Sequence, residues 1–225
     1  MQKIPKEVLS FLNSLKENNN REWFNDRKPK FKELEKQMKS FYAEIELFLN
    51  QEDDIQRTKA YRIYRDIRFS KDKTTYKKHF AAIFIRRKPA LRGSYYIHIE
   101  PNGKSHLGGG FWKPNKEDLL RVRKEWEIDE EEIVEILEEN NFKNTWGKMK
   151  GESLKTAPRG FDKNHPAIDL INYKQWIFSR SLSDEEILSA DFAKKAADYF
   201  KALRPFFDYM SSVLTTDLNG VSILE

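Results

Sequence analysis

The chain has 225 residues, with 41 Lys and Arg against 36 Asp and Glu for a net charge of +5, and it has no cysteine. The missing cysteines exclude disulfides, thiolate zinc centres and cysteine nucleophiles. Sixteen Phe and five Trp supply the apolar area for a sizeable core, and no stretch approaches the ~18 apolar residues of a membrane span. A cytoplasmic protein with no membrane partner is therefore expected.

In chain order, residues 5–17 carry Val8, Leu9, Phe11, Leu12 and Leu15 at helical spacing behind Pro5. Trp23 and Phe24 open a second helical stretch. Pro29 then suits the first turn of a long helix reaching Asn50, with Phe31, Leu34, Met38, Phe41, Ile45 and Phe48 along one stripe. The period then changes to two. Tyr61, Ile63, Ile67 and Phe69 are predicted to share one face of a half-buried extended segment, opposite Arg62, Tyr64, Asp66 and Arg68. Strands follow at 80–86, 94–100 and 105–112, the last two joined through Pro101-Asn102-Gly103-Lys104, where Asn-Gly suits a two-residue primed turn.

Helices are predicted again at 115–127 and 129–140, the second with a capping-box start from Asp129 to Glu132. Residues 141–161 read as irregular, 165–173 as a short helix and 176–180 as a strand. A terminal helix over 191–214 should be kinked or split by Pro205. With no linker, repeat or composition break, residues 1–225 are expected to form a single α+β domain. Its mainly antiparallel sheet, of about four or more strands (roughly 60–112 plus a later one), is covered by N-terminal and C-terminal helices.

Charge is unevenly placed. Between Arg57 and Arg92 thirteen Lys and Arg face only Asp66 and Asp72, which makes that segment +11 and leaves −6 for the remainder. Within it, Arg62, Arg65, Asp66, Arg68, Lys73 and Tyr76 combine guanidinium forks, a carboxylate, an ammonium and a phenol beside apolar residues. Arginine's planar fork matches carboxylate or phosphate oxygens two at a time. Asp66 can hold one arginine while others face a ligand. His79 closes the basic loop as a further binding residue, and Lys155, on the Pro158–Gly160 turn, is a second cation offered to an anion. The competing reading of the motif is an internal Arg–Asp network that ties the fold together.

Two other patterns weigh less. Gly108-Gly109-Gly110 inside a strand implies close approach of a neighbour to bare backbone, or a floor for a flat ligand, and it lacks the ending of a P-loop. His98 and Glu100 share a strand face, but the two-residue turn pairs His106 with Ile99 and points it away, so no metal site is expected. No nucleophile elbow is present, and the sequence leaves the cofactor unknown.

The run Arg62-x-x-Arg65-Asp66-x-Arg68-Phe69, with Asp72-Lys73-x-x-Tyr76, resembles the defining motif of a bacterial and fungal family, domain of unknown function 2461. Leu107-Gly-Gly-Gly110, Leu154-Lys155-x-x-Pro158-x-Gly160-Phe161 and His165-Pro166-x-x-Asp169-Leu170 agree, and Thr75 departs from the proline of many relatives. The resemblance spans nearly the whole chain and implies no reaction. It makes Arg62, Arg65, Asp66, Arg68, Lys73 and Tyr76 the leading site residues. The expected partner is a small molecule bearing phosphate or carboxylate, with enzymatic activity left open. The alternatives are nucleic-acid binding through residues 57–92 and a structural or interaction role.

Overall fold

The computed structural model describes residues 2–224. Its backbone groups into two compact units, one comprising the chain up to Phe84 with Tyr96–Leu107 and Ser181–Asp198, the other comprising Ile85–Tyr95, Gly108–Arg180 and the chain from Tyr199. Five strands, β1 (Ile55–Ala60), β2 (Phe80–Arg86), β3 (Ser94–Ile99), β4 (Ser105–Phe111) and β5 (Trp176–Leu182), form one open antiparallel sheet in sequence order. Helices precede and follow it, as an α+β fold requires.

In the first unit, α1 (Lys6–Glu17) buries Val8, Leu9, Phe11, Leu12 and Leu15, the stripe its spacing predicts. Asn20 caps α2 (Arg21–Asp26) by accepting from the Trp23 amide at 2.9 Å, which offsets one of the unpaired donors of a helix start. Pro29 stands in the first turn of α3 (Lys28–Leu49), where its missing amide costs nothing. The buried stripe of α3 runs from Phe31 through Leu34, Met38, Phe41, Tyr42 and Ile45 to Leu49, each large apolar side chain contributing about 1.5–3 kcal/mol on burial. Phe31 stacks on Phe80 of β2 at 5.8 Å, and Phe41 on Phe192 at 5.8 Å. These contacts fix which face of β2 is covered: Phe80, Ala82 and Phe84 are buried, and His79 projects to the opposite side of the sheet from Phe80.

The second unit holds α4 (Lys116–Ile128), α5 (Glu131–Glu138), α6 (Asn140–Trp146), α7 (Ile168–Ile171) and most of α9 (Phe192–Thr215), while α8 (Asp184–Ile187) belongs to the first. Its core is aromatic. Trp126 meets Trp176 edge-on at 5.6 Å and donates its indole N–H to the Tyr209 hydroxyl at 3.1 Å. Arg86 is buried, pairing with Asp208 and lying over the Phe207 ring.

Several expectations change. The segment from Arg62 to Phe69 is not a strand. The strand before it ends at Ala60, and residues 61–79 form a loop with one isolated antiparallel bridge, Tyr64 to Tyr76. Alternation misled here because Ile63 is 3% exposed whereas Phe69 is 97% exposed. Residues 140–146 are helical, not irregular, because Glu139 caps them by accepting from the Asn141 and Phe142 amides at 3.0 and 2.7 Å. The capping box at 129–132 does not form. Asp129 instead accepts from Glu131 at 2.9 Å and the helix starts later. Pro205 leaves α9 unbroken. The buried Phe200, Leu203, Phe206 and Phe207 around it outweigh the roughly 3 kcal/mol that an interior proline costs.

Candidate functional site

The Arg62–Tyr76 loop is held by its own charges. Its two arms are joined by Arg65 N–H donating to Thr75 O at 3.0 Å and Lys77 N–H donating to Ile63 O at 2.7 Å. Inside them, the Arg65 guanidinium donates to the Asp72 carboxylate, to the Thr74 hydroxyl and, at 3.4 Å, to Ser70. Asp72 also accepts from the Thr74 amide at 2.9 Å, and Lys73 donates to Ile67 O at 3.1 Å. The Thr74 amide and then Arg65 hold the Asp72 carboxyl well below the usual carboxylate range. Arg68 grips Asp66 with two parallel bonds, 3.0 and 2.7 Å, and lowers that carboxyl too.

Tyr76 anchors the loop to the helices. It is buried and stacks on Phe24 at 4.0 Å, while Asn19 accepts from its amide and donates to its carbonyl, both at 3.0 Å. Of the residues singled out in this motif, Arg65, Asp66, Arg68 and Lys73 are therefore engaged within the loop, and Tyr76 in the core beneath it. Lys155 is exposed in the second unit.

Arg62 differs. It lies on a recess of about 220 Å³ with Tyr61, Met38, Lys39, Tyr42 and Glu35. Glu35 is taken up by Lys32 at 2.8 Å and Lys39 at 3.7 Å. The Tyr61 ring carries Lys77 at 5.1 Å on its π system and Lys59 at 5.9 Å. Burial, then Arg62, then Lys59, push the Lys77 ammonium below its ordinary value, so the three cations sense one another. Among the described residues none of the three has a carboxylate within ion-pair distance. Tyr42 lines the recess, and its hydroxyl is buried with no hydrogen-bond partner. Lys59, Lys77 and Tyr61 were not singled out from the sequence. The signal was present only as membership of the basic stretch, because a β-strand end and a loop arm must meet before these side chains converge.

Beside this cluster, on the sheet face opposite Phe80, three imidazoles gather. His79 packs on His98 with ring centroids 4.0 Å apart, and His106 stacks on the same ring at 4.5 Å and 18°. This corrects the expected hairpin register. Asn102 and Gly103 do take positive φ, 68° each, yet β3 ends at Ile99 and β4 starts at Ser105, so the connection is the five residues 100–104, one more than keeps the two-residue register, with Ser105 donating its hydroxyl to Glu100 O at 2.9 Å. His106 consequently faces with His98 instead of away from it. The longer turn is held from outside, because the Asn102 and Gly103 amides both donate to Asp184 at 2.9 Å and the Asn102 side chain donates to Asn13 at 2.9 Å.

His98 Nε2 lies 3.0 Å from Glu100 and Nδ1 3.2 Å from the Tyr96 hydroxyl. Burial, aided by His98, Lys77 and His106, pushes the His79 imidazole down to about 3, and it is neutral at physiological pH. Burial also lowers His98 and pushes the Tyr96 phenol up to about 12.

A five-stranded antiparallel α+β protein, carrying a cluster of imidazoles and a cluster of cations in its first unit, is the class these features define. The chain belongs to the family described as conserved hypothetical protein, domain of unknown function 2461, whose model matches residues 7–209. No curated protein matches the chain. No solved structure matches it either. No helix among the described residues is long and apolar enough to cross a membrane.

Proposed function

We propose that the protein binds a small molecule bearing phosphate or carboxylate, its anion held by Lys59, Arg62 and Lys77 and its remainder seated in the recess that Tyr42 and Tyr61 line. The observation that carries this reading is the meeting of Lys59 and Lys77 on the Tyr61 ring with Arg62 close enough to lower the Lys77 ammonium, none of the three ion-paired to a carboxylate among the described residues. Like charges so placed repel, and an anion converts that repulsion into two or three charge-assisted hydrogen bonds of about 1.5–3 kcal/mol each. The orphaned Tyr42 hydroxyl supports a polar occupant, since a buried donor without a partner costs about 1–3 kcal/mol. On this reading Arg65 and Arg68 shape the loop and Arg62 is its ligand-facing member.

Titration calorimetry with inorganic phosphate, a nucleotide series, sugar phosphates and di- and tricarboxylates tests it. At least one ligand should bind, and Lys77→Gln and Arg62→Gln should each weaken it about tenfold or more. Absence of binding across the panel, or affinity unmoved in the double variant, overturns the reading. Oligonucleotides make the remaining arm. Three phosphate contacts give a salt slope no steeper than about −3, so a much steeper slope would mark the whole basic segment as a nucleic-acid surface instead.

A further inference from the structure

The imidazole cluster points to something the anion recess does not use. We infer that His79, His98 and Glu100 form a binding site for a first-row divalent cation of the zinc type, with one or more coordination positions open. The inference stands on different atoms from the anion site and holds whether or not that site binds a ligand.

The geometry is nearly assembled. One ligand atom from each of the three residues lies within 4.8 Å of the other two. Bonds of about 2.0–2.2 Å to imidazole nitrogen and carboxylate oxygen put ligand atoms about 3.3 Å apart around a tetrahedral ion. The His98–Glu100 pair already stands at 3.0 Å. Gathering the set therefore asks each atom to move by less than about 1 Å, within the reach of side-chain rotation. Two histidines and one carboxylate suit borderline cations and leave positions for water or a bound anion.

Three further observations separate this group from a chance meeting of polar residues. The His79 ring makes no hydrogen bond to any described residue, although it is half-buried between His98 and the loop, so a ring lone pair is available to a ligand. The Tyr96 hydroxyl, 3.2 Å from His98 Nδ1, is the outer partner that metal-bound histidines generally require. Without metal it donates to Nδ1 while Nε2–H donates to Glu100. With metal on Nε2 the proton moves to Nδ1 and the hydroxyl accepts it, so one tyrosine serves both states. His106, stacked flat on His98, restrains the ring plane. Placement follows from the fold: His98 lies on β3, Glu100 follows it two residues on, just past the end of that strand, and His79 enters from the residue preceding β2.

The test uses the full chain. Metal-stripped protein is dialysed against micromolar free Zn²⁺, bound metal is counted by elemental analysis, and Co²⁺ is added separately to read coordination from its visible absorption. Wild type should retain one equivalent of Zn²⁺ and give the intense d–d bands of a four- or five-coordinate Co²⁺ site. Tyr96→Phe should weaken Zn²⁺ by about tenfold, and Glu100→Gln and His79→Gln by more. His165→Gln, in the second unit, should change nothing, because both its ring nitrogens are engaged by backbone at 3.0 and 3.1 Å. Glu100 is half-buried and Gln is its isostere, so circular dichroism of that variant should match wild type; folded Glu100→Gln then decides should the histidine variant misfold. No stoichiometric metal in wild type, or metal retained unchanged in Glu100→Gln, overturns the inference.

Discussion

Alanine substitutions at Gly110, Gly109 and Gly103 should destabilise in that order, for three different physical reasons. A Cβ on Gly110 would sit 2.0 Å from Trp176 O and 2.9 Å from Ile177 Cα, and the residue has φ +135°. Both obstacles are backbone of a hydrogen-bonded neighbouring strand, so relief requires moving the sheet. Overpacking and an unfavourable φ together cost about 3–5 kcal/mol. At Gly109 the new atom would sit 2.3 Å from Leu203 Cδ2 and 3.2 Å from Phe207 Cζ, both buried side chains. A methyl at the end of leucine can give way, at about 1–3 kcal/mol. At Gly103 nothing lies within 4 Å and only φ +68° resists, about 1 kcal/mol. Urea unfolding of the purified chain measures this. With an m value near 3 kcal/mol/M, the midpoint should fall by about 1–1.7 M, about 0.3–1 M and about 0.3 M respectively. A Gly110→Ala protein with the wild-type midpoint, or an inverted order, would falsify the view that these glycines exist for close packing and would reopen the reading of the run as a ligand floor.

Arg65→Ala should loosen the loop without unfolding the protein, accelerating tryptic cleavage at Arg68, Lys71 and Lys73 by about tenfold; a strand-like role would instead show as global unfolding, read by the urea midpoint. Because the folded Asp72 and Asp66 carboxyls are held below their ordinary range, their contribution to the loop is present at pH values above that range and is lost as acid carries pH down through the lowered values. Carboxyl NMR titration should find Asp72 still ionised where free aspartate is half-protonated, and Arg65→Gln should shift it back towards the ordinary value; an ordinary Asp72 titration contradicts the pairing. Tyr76→Ala should cost about 3–5 kcal/mol through its emptied contact with Phe24, whereas Phe69→Ser, at a 97% exposed position, should stay within about 0.5 kcal/mol. Similar losses at both positions in thermal unfolding would mean that the loop packs by the period-two pattern after all.

Much of this protein follows from the chain read alone. The helical stripes of Val8–Leu15 and Phe31–Leu49 and the strands at 80–86, 94–99 and 105–111 are local consequences of apolar spacing. Each repeats a backbone period that neighbouring residues enforce together. The family motif was legible as well, since it marks the loop whose charges cluster. What the chain alone did not determine is which partner each charge takes. Arg65 and Arg68 find carboxylates within eight residues along the sequence, while Lys59, Arg62 and Lys77 converge only when the end of β1 meets the far arm of the loop. Residue 106 shows the same limit at one position. Asn-Gly suits a two-residue turn, yet Asp184 and Asn13, 81 to 89 residues away, hold a longer one and turn His106 onto His98. A strand's period is a property of its own backbone, but register and charge pairing are set by distant groups whose positions exist only in the folded chain, and on those two quantities both proposed sites depend.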